Sequence, residues 1–89
     1  MDKQILNNPA ASIVDVRTDE EFNESHYPGA KHIPLDQVEQ RINEFKQMST
    51  PIVLYCRSGN RSGKAMEILK LNGITDVYNG GGLNDMINQ

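Results

Sequence analysis

One cysteine and two histidines are all that 89 residues offer in thiols and imidazoles, and that scarcity closes off whole classes of function. A lone cysteine forms no internal disulfide, and with two separated histidines it lacks the ligand spacing of a structural zinc site. The thiol therefore acts alone or with a second molecule, and no metal or cofactor is expected. Positive charge is also short. Nine Lys and Arg against twelve Asp and Glu leave a formal net charge of −3, so nothing is available to hold a phosphate backbone and no nucleic-acid partner is expected. No apolar run approaches the roughly 20 residues of a membrane-spanning helix. Met1-Asp2-Lys3-Gln4 leads into a short, interrupted apolar stretch rather than a secretory leader, which points to the cytoplasm, or to the periplasm if a leader has been removed. The low hydrophobicity and high net charge of disorder are missing too. With 37% hydrophobic and 24% charged residues the chain is expected to fold as one small domain over residues 1–89, a monomer with a single core.

The apolar pattern alternates between short strands and helices. Ile13-Val14, within Ser12 to Val16, reads as a buried strand, and Thr18-Asp19-Glu20-Glu21 carries the capping-box pattern of a helix that turns Phe22 inward and stops before Pro28-Gly29. Lys31 to Ile33 reads as a second strand. Pro34-Leu35-Asp36 opens one helix, with Asp36 as N-cap, Glu39 at the capping-box position and Leu35, Val38, Ile42 and Phe45 on one face. Ile52 to Tyr55 is the most apolar strand, and the helix after it turns Ala65, Ile68 and Leu69 inward and ends at Asn72-Gly73. Val77-Tyr78 reads as a last short strand, Asn79 to Gly82 as a turn, and Leu83 to Ile87 as closing helical turns. Such alternation predicts an α/β fold with a parallel β-sheet flanked by helices on both faces, and a ligand site beyond the carboxyl ends of the strands. Asp15 and Cys56 both emerge there.

Cys56 stands at the exit of the most apolar strand, before a Gly-containing loop and a helix start. From Cys56 to Lys64 there are three cations, Arg57, Arg61 and Lys64, and no acid. Backbone N–H groups, a helix N-terminus and nearby cations all favour the thiolate, which makes Cys56 a candidate nucleophile and the loop a candidate anion site. Gly59 lets the turn close. Ser58 and Ser62 are placed to cap backbone groups, Asn60 to cap the helix or lend its N–H to the ring, and Lys64 to sit in solvent. Arg57 can aim its guanidinium at the mouth and hold an oxyanion. Two places are open to Arg61, the same oxyanion or an acid at a strand end, Asp15 being the evident one.

Asp15-Val16-Arg17, Glu21-Phe22, His26-Tyr27-Pro28-Gly29-Ala30, His32-Ile33-Pro34, the Cys56 to Ser62 loop and Gly81-Gly82-Leu83 occur in the order and spacing of the rhodanese-like sulfurtransferases. The chain resembles that family over nearly its whole length, most of all its small single-domain members. The resemblance implies a rhodanese-like domain whose cysteine takes sulfane sulfur from a small anionic donor such as thiosulfate and gives it to a thiophilic acceptor, cyanide or a thiol, through a persulfide, with a protein acceptor as a further partner. On this reading Cys56 is catalytic, Arg57, Ser58, Gly59, Asn60, Arg61 and Ser62 form the anion-binding loop, and Asp15 and Arg17 support it from behind. His26 and His32 match family positions, but the mechanism leaves no task for them.

Two other classes compete. A persulfide carrier loaded and unloaded by partner proteins needs the same cysteine with little activity of its own. A phosphatase or arsenate reductase also attacks from a strand-loop-helix cysteine, but those enzymes resemble Cys-x5-Arg, whereas Arg61 follows Cys56 by four intervening residues, a ring better sized for one sulfur atom than for a tetrahedral oxyanion. Where many relatives carry a tryptophan this chain has Met86, which predicts a smaller apolar lid and a shallow, open site.

Overall fold

Parallel strands cannot be joined by tight turns, so each must be followed by a segment that carries the chain back across the sheet. The computed structural model, which describes residues 1–88, shows this pattern throughout. Strands β1 (Ser12–Asp15), β2 (Lys31–His32), β3 (Ile52–Cys56) and β4 (Val77–Gly82) form one parallel sheet in the order β2-β1-β3-β4. The helices are α1 (Lys3–Leu6), α2 (Asp19–Glu24), α3 (Leu35–Val38), α4 (Ile42–Lys46), α5 (Asn60–Leu71) and α6 (Leu83–Ile87).

The central strand β3 is buried at every residue, because alternate side chains serve opposite faces. Ile52, Leu54 and Cys56 join Val14, Val38 of α3, Phe45 of α4 and Ala65 and Leu69 of α5 in one apolar cluster. Val53 and Tyr55 join Leu6 of α1 and Met86 of α6 in the other. Helices thus cover both faces, and strand register sets Asp15 beside Tyr55 and Cys56 beside Gly82 at the carboxyl end of the sheet.

The helix N-terminus at Thr18 is capped as its sequence requires. Thr18 Oγ1 accepts from the Glu21 N–H, and Glu21 Oε1 accepts from the Thr18 N–H at 3.1 Å. Other details differ from expectation. Leu35, Val38, Ile42 and Phe45 do pack into one cluster, but not from one helix. Arg41 leaves helical dihedrals at φ −105°, ψ 25°, separating α3 from α4, and its guanidinium bonds Glu44 and Gln37 across the break. Asp36 is no cap; Pro34 holds that position and α3 has no side-chain cap. Phe22 does not enter the core but lies stacked between His26 and His32, with ring centroids 3.8 and 4.5 Å away. The residues read as a turn, Asn79 to Gly82, continue β4 instead. Between the pairs Leu54–Asn79 and Cys56–Gly82 this strand carries an extra residue, a β-bulge. Met86, 1% exposed, is core beneath the sheet and forms no lid. The short α1 was not foreseen; Asp2 caps it by accepting from the Gln4 N–H at 2.9 Å.

Candidate active site

Cys56 ends β3 and is 1% exposed. The chain turns through Arg57 and Ser58 to Gly59, whose φ of 98° lies in the left-handed region that glycine enters without cost from a Cβ. That turn aims the Gly59 N–H at Cys56 Sγ, 3.0 Å away. Ser62, on the first turn of α5, brings its Oγ within 3.4 Å of the same sulfur. Burial alone would push the thiol up. The Ser62 hydroxyl and the N–H groups of Ser62, Ser58 and Gly59 more than offset it and bring Cys56 down to about 7. Since only the thiolate attacks carbon or sulfur rapidly, the alkylation rate of Cys56 is expected to rise with pH through a midpoint near 7 and to level off above it. A midpoint at or above the ~8.5 of a free thiol would mark an inert buried cysteine.

The loop residues divide their work differently from the sequence expectation. Gly59, not Asn60, occupies the N-cap, and Asn60 is simply the first residue of α5. Ser62 faces the sulfur rather than capping the helix, and what Ser58 contributes is its backbone N–H. Lys64 is exposed. At Gly82 an added Cβ would overlap the carbonyl oxygen of Arg57, so the loop start and β4 can approach this closely only because Gly82 has no side chain.

The three arginines near the loop, Arg17, Arg57 and Arg61, are in unlike situations. Arg61 does pair with an acid, but with Glu21 rather than Asp15, in a two-pronged contact of 2.7 and 3.1 Å. The Arg61 guanidinium, ahead of the opposing burial and the Thr18 bonds, holds the Glu21 carboxyl at about 2, so the pair is intact at neutral pH. Both side chains are partly exposed, at 32% and 25%, and such a pair adds no more than about 1 kcal/mol to stability. Its consequence is geometric: it ties α2 to the first turn of α5 and engages the Arg61 guanidinium. Arg17 instead grips Asp15, with Nε 3.0 Å from both carboxylate oxygens and Nη2 2.7 Å from Oδ2. Arg57 is exposed and lines a cleft of about 410 Å³ together with Arg17, Glu21, Glu24, Ser25, Leu83 and Asn84.

Asp15 itself is fully buried. Its Oδ1 accepts from the Arg17 N–H at 2.9 Å and its Oδ2 from the Tyr55 hydroxyl at 2.7 Å, while that hydroxyl accepts from the Tyr27 N–H at 2.9 Å. Burial, with Asp15 alongside, pushes Tyr55 up to about 12, so the phenol keeps its proton and donates. Arg17 also reaches the Ser25 carbonyl at 2.6 Å. This network fixes the ends of β1 and β3 relative to each other, next to the loop. The histidines bond backbone, His26 Nδ1 donating to the Phe22 carbonyl and His32 Nε2 to that of Arg17. Among the described residues no three His, Cys, Asp or Glu side chains converge on a point where a metal ion could sit.

Three participants escaped the sequence reading. Glu21 stands in the sequence as a capping residue and as part of a family motif, and Tyr55 as an apolar strand residue beside the cysteine, and neither reading gives the partner that the structure shows, Arg61 for one and Asp15 for the other. Asn79 was placed in a turn, yet it bonds Ser62 and Gly59 across the loop; no local pattern marks it.

Comparison with known proteins bears on the family of the chain. The model of the rhodanese-like domain matches residues 2–88. Thiosulfate sulfurtransferase PspE of Escherichia coli is 40% identical over 74 residues, 82% of this chain and 71% of that protein. The uncharacterized protein YqhL of Bacillus subtilis is 45% identical over 69 residues, 78% of this chain but 54% of its own length, so the chain spans about half of that relative. The putative sulfur carrier protein YrkF, also of Bacillus subtilis, is 38% identical over 77 residues, 86% of this chain and 41% of that protein. Among solved structures, a rhodanese with anions from Escherichia coli superposes with a TM-score of 0.78 at 40% identity, covering 85% of this chain and 91% of that one. Motif order, sheet topology and a match along nearly the full chain agree, and the chain belongs to the rhodanese-like domain family.

Proposed function

We propose that the protein is a sulfurtransferase that passes sulfane sulfur from thiosulfate, or from a persulfide donor, to cyanide or a thiol through a persulfide on Cys56. The single observation that carries this reading is the Gly59 N–H aimed at the Cys56 sulfur by the turn that follows it, a donor that favours the thiolate without any general base. The thiolate attacks the outer sulfur of thiosulfate. The bond from that sulfur to the sulfite sulfur breaks, and sulfite leaves with the electron pair. The remaining Cys56 persulfide is anionic at its terminal sulfur, a charge suited to the same N–H groups and to the N-terminal end of α5. Cyanide or a thiolate then attacks the terminal sulfur, and Cys56 departs as the thiolate it began as.

Arg57 is the cation assigned to the donor's oxygens, because Arg17 and Arg61 are already engaged with Asp15 and Glu21. Arg57→Ala should raise the KM for thiosulfate several-fold, on the order of the ~1 kcal/mol that an exposed ion pair contributes at most, with a smaller effect on kcat. An uncharged sulfur donor should feel the loss less. An unchanged KM would assign donor binding to the amide ring alone.

Intact mass of the reduced protein after thiosulfate treatment tests the reading as a whole: one added sulfur is expected, removable by cyanide, and an unchanged mass would overturn it. A second reading, a carrier served by partner proteins, draws on the relative named as a putative sulfur carrier. It predicts the same loading but little steady-state transfer from thiosulfate to cyanide. Phosphatase chemistry loses support, since the arginine that would clamp a phosphate is held by Glu21. Neither sulfur-transfer reading involves a membrane, and among the described residues no helix is long and apolar enough to cross one.

A further inference from the structure

Ser62 stands between two acceptors and has one proton to give. Its Oγ lies 3.4 Å from Cys56 Sγ and 2.7 Å from Asn79 Oδ1. Which end of the Asn79 amide is oxygen follows from its other neighbours: Nδ2 must donate to the Gly59 carbonyl at 3.0 Å, and Oδ1 must accept from the Gly81 N–H at 3.0 Å. The Ser62 hydroxyl therefore donates to Asn79, and toward the sulfur it presents a lone pair. That arrangement suits the protonated thiol, whose S–H can donate to Ser62 Oγ, and not the thiolate, which needs a donor. The bulge in β4 builds this geometry. Asn79 is paired with Leu54 and so faces α5, and the extra residue after it brings Gly81 within reach of the same amide.

We infer that Asn79 is a positioning residue for Cys56, holding the Ser62 hydroxyl proton away from the sulfur until the thiol ionises. When the thiol proton leaves to solvent, the Ser62 O–H rotates from Asn79 Oδ1 to Sγ, exchanging a neutral hydrogen bond for a charge-assisted one. Asn79 thus opposes the thiolate through Ser62 while its Nδ2 braces the loop at Gly59. This assignment rests on Cys56 being the reacting group.

The two parts of that role have opposite signs, which makes them separable. If Asn79 only braced the loop, Asn79→Ala would loosen the amide ring and raise the pH midpoint of Cys56 alkylation. Removal of a competing acceptor should instead lower the midpoint, by roughly half to one pH unit for the loss of one neutral hydrogen bond. The lowering must pass through Ser62, so it should vanish when Asn79→Ala is combined with Ser62→Ala and compared with Ser62→Ala alone. The charged groups on the elements around the sulfur are Asp15 at the end of β1 and Arg17 after it, Asp19, Glu20, Glu21 and Glu24 on α2, Asp36 on α3, Arg57 on the loop, Arg61, Lys64, Glu67 and Lys70 on α5, and Asp85 on α6. All are unchanged in these variants. Asn79→Asp keeps an acceptor for the hydroxyl and makes it anionic, so its midpoint should rise above that of the native chain; because a carboxylate also raises the thiol directly, the part of the rise that disappears when Ser62→Ala is added reads the path through Ser62, should the alanine variant fold poorly.

The experiment is alkylation of the reduced full chain by iodoacetamide as a function of pH, with folding checked by circular dichroism. A midpoint in folded Asn79→Ala that is unchanged or raised, a lowering that persists without the Ser62 hydroxyl, or a lowered midpoint in Asn79→Asp would each overturn the assignment. Sulfur loading of the native chain by thiosulfate is scored separately, so failure of Cys56 as sulfur carrier is distinguishable from failure of Asn79 as its positioning residue.

Discussion

Cys56→Ala is expected to abolish sulfur loading and to reduce transfer from thiosulfate to cyanide by at least roughly 10³-fold, to the background of the reagents. It is the only thiol, and its sulfur is the one atom on which the Gly59 N–H and Ser62 converge. The substitution should leave the fold intact. Losing one sulfur atom from a cluster otherwise filled by Val, Ile, Leu and Phe leaves a small cavity, and circular dichroism should show native helix content. Intact mass with and without thiosulfate gives the answer directly. A variant that still gains a sulfur would place the carrier elsewhere.

The second large effect is on stability. Asp15→Ala removes the acceptor for the Arg17 side chain, the Arg17 N–H and the Tyr55 hydroxyl at once. Arg17 is only 6% exposed, so its charge would be left in a buried position with the Ser25 carbonyl as its remaining hydrogen-bond partner and the Tyr55 ring beneath it. Breaking a buried pair from one side costs about 3–5 kcal/mol, set against a total stability of about 5–15 kcal/mol for a typical domain. A fall in Tm on the order of 15 °C or more is expected for a chain of this size. Thermal unfolding followed by circular dichroism measures it. A shift of a few degrees would mean that water replaces the carboxylate and that the network is not a buried one.

Much of the site was legible before any fold was known. Strand exit, glycine and helix start follow one another within a few residues around Cys56, and the backbone N–H groups that favour its thiolate come from that same short stretch. The capping box at Thr18 is likewise closed by residues three apart. Apolar periodicity placed Leu35, Val38, Ile42 and Phe45 in one cluster even though the helix meant to carry them is broken at Arg41. Burial follows the pattern of side chains; continuity depends on the dihedrals of one residue, which the pattern does not record.

What failed involves partners distant along the chain. The sequence leaves Arg61 a choice between an oxyanion and an acid such as Asp15, but strand order gives Asp15 to Arg17 and Tyr55 and leaves Arg61 to Glu21 on the neighbouring helix. Met86 was read as a lid and proved to be core beneath the sheet. Asn79 was read as a turn residue, because nothing in Tyr78-Asn79-Gly80-Gly81-Gly82 announces a bulge that faces its amide to α5. By itself, then, the sequence determined the strand-loop-helix setting of the thiol and the α/β alternation, both of which depend on hydrogen bonds and periodicities spanning a few residues. The tertiary structure alone decided which acids Arg17 and Arg61 pair with and what the Ser62 proton faces, because those follow from sheet order and register, which bring residues 15, 21, 56, 62 and 79 together only after the whole chain has folded.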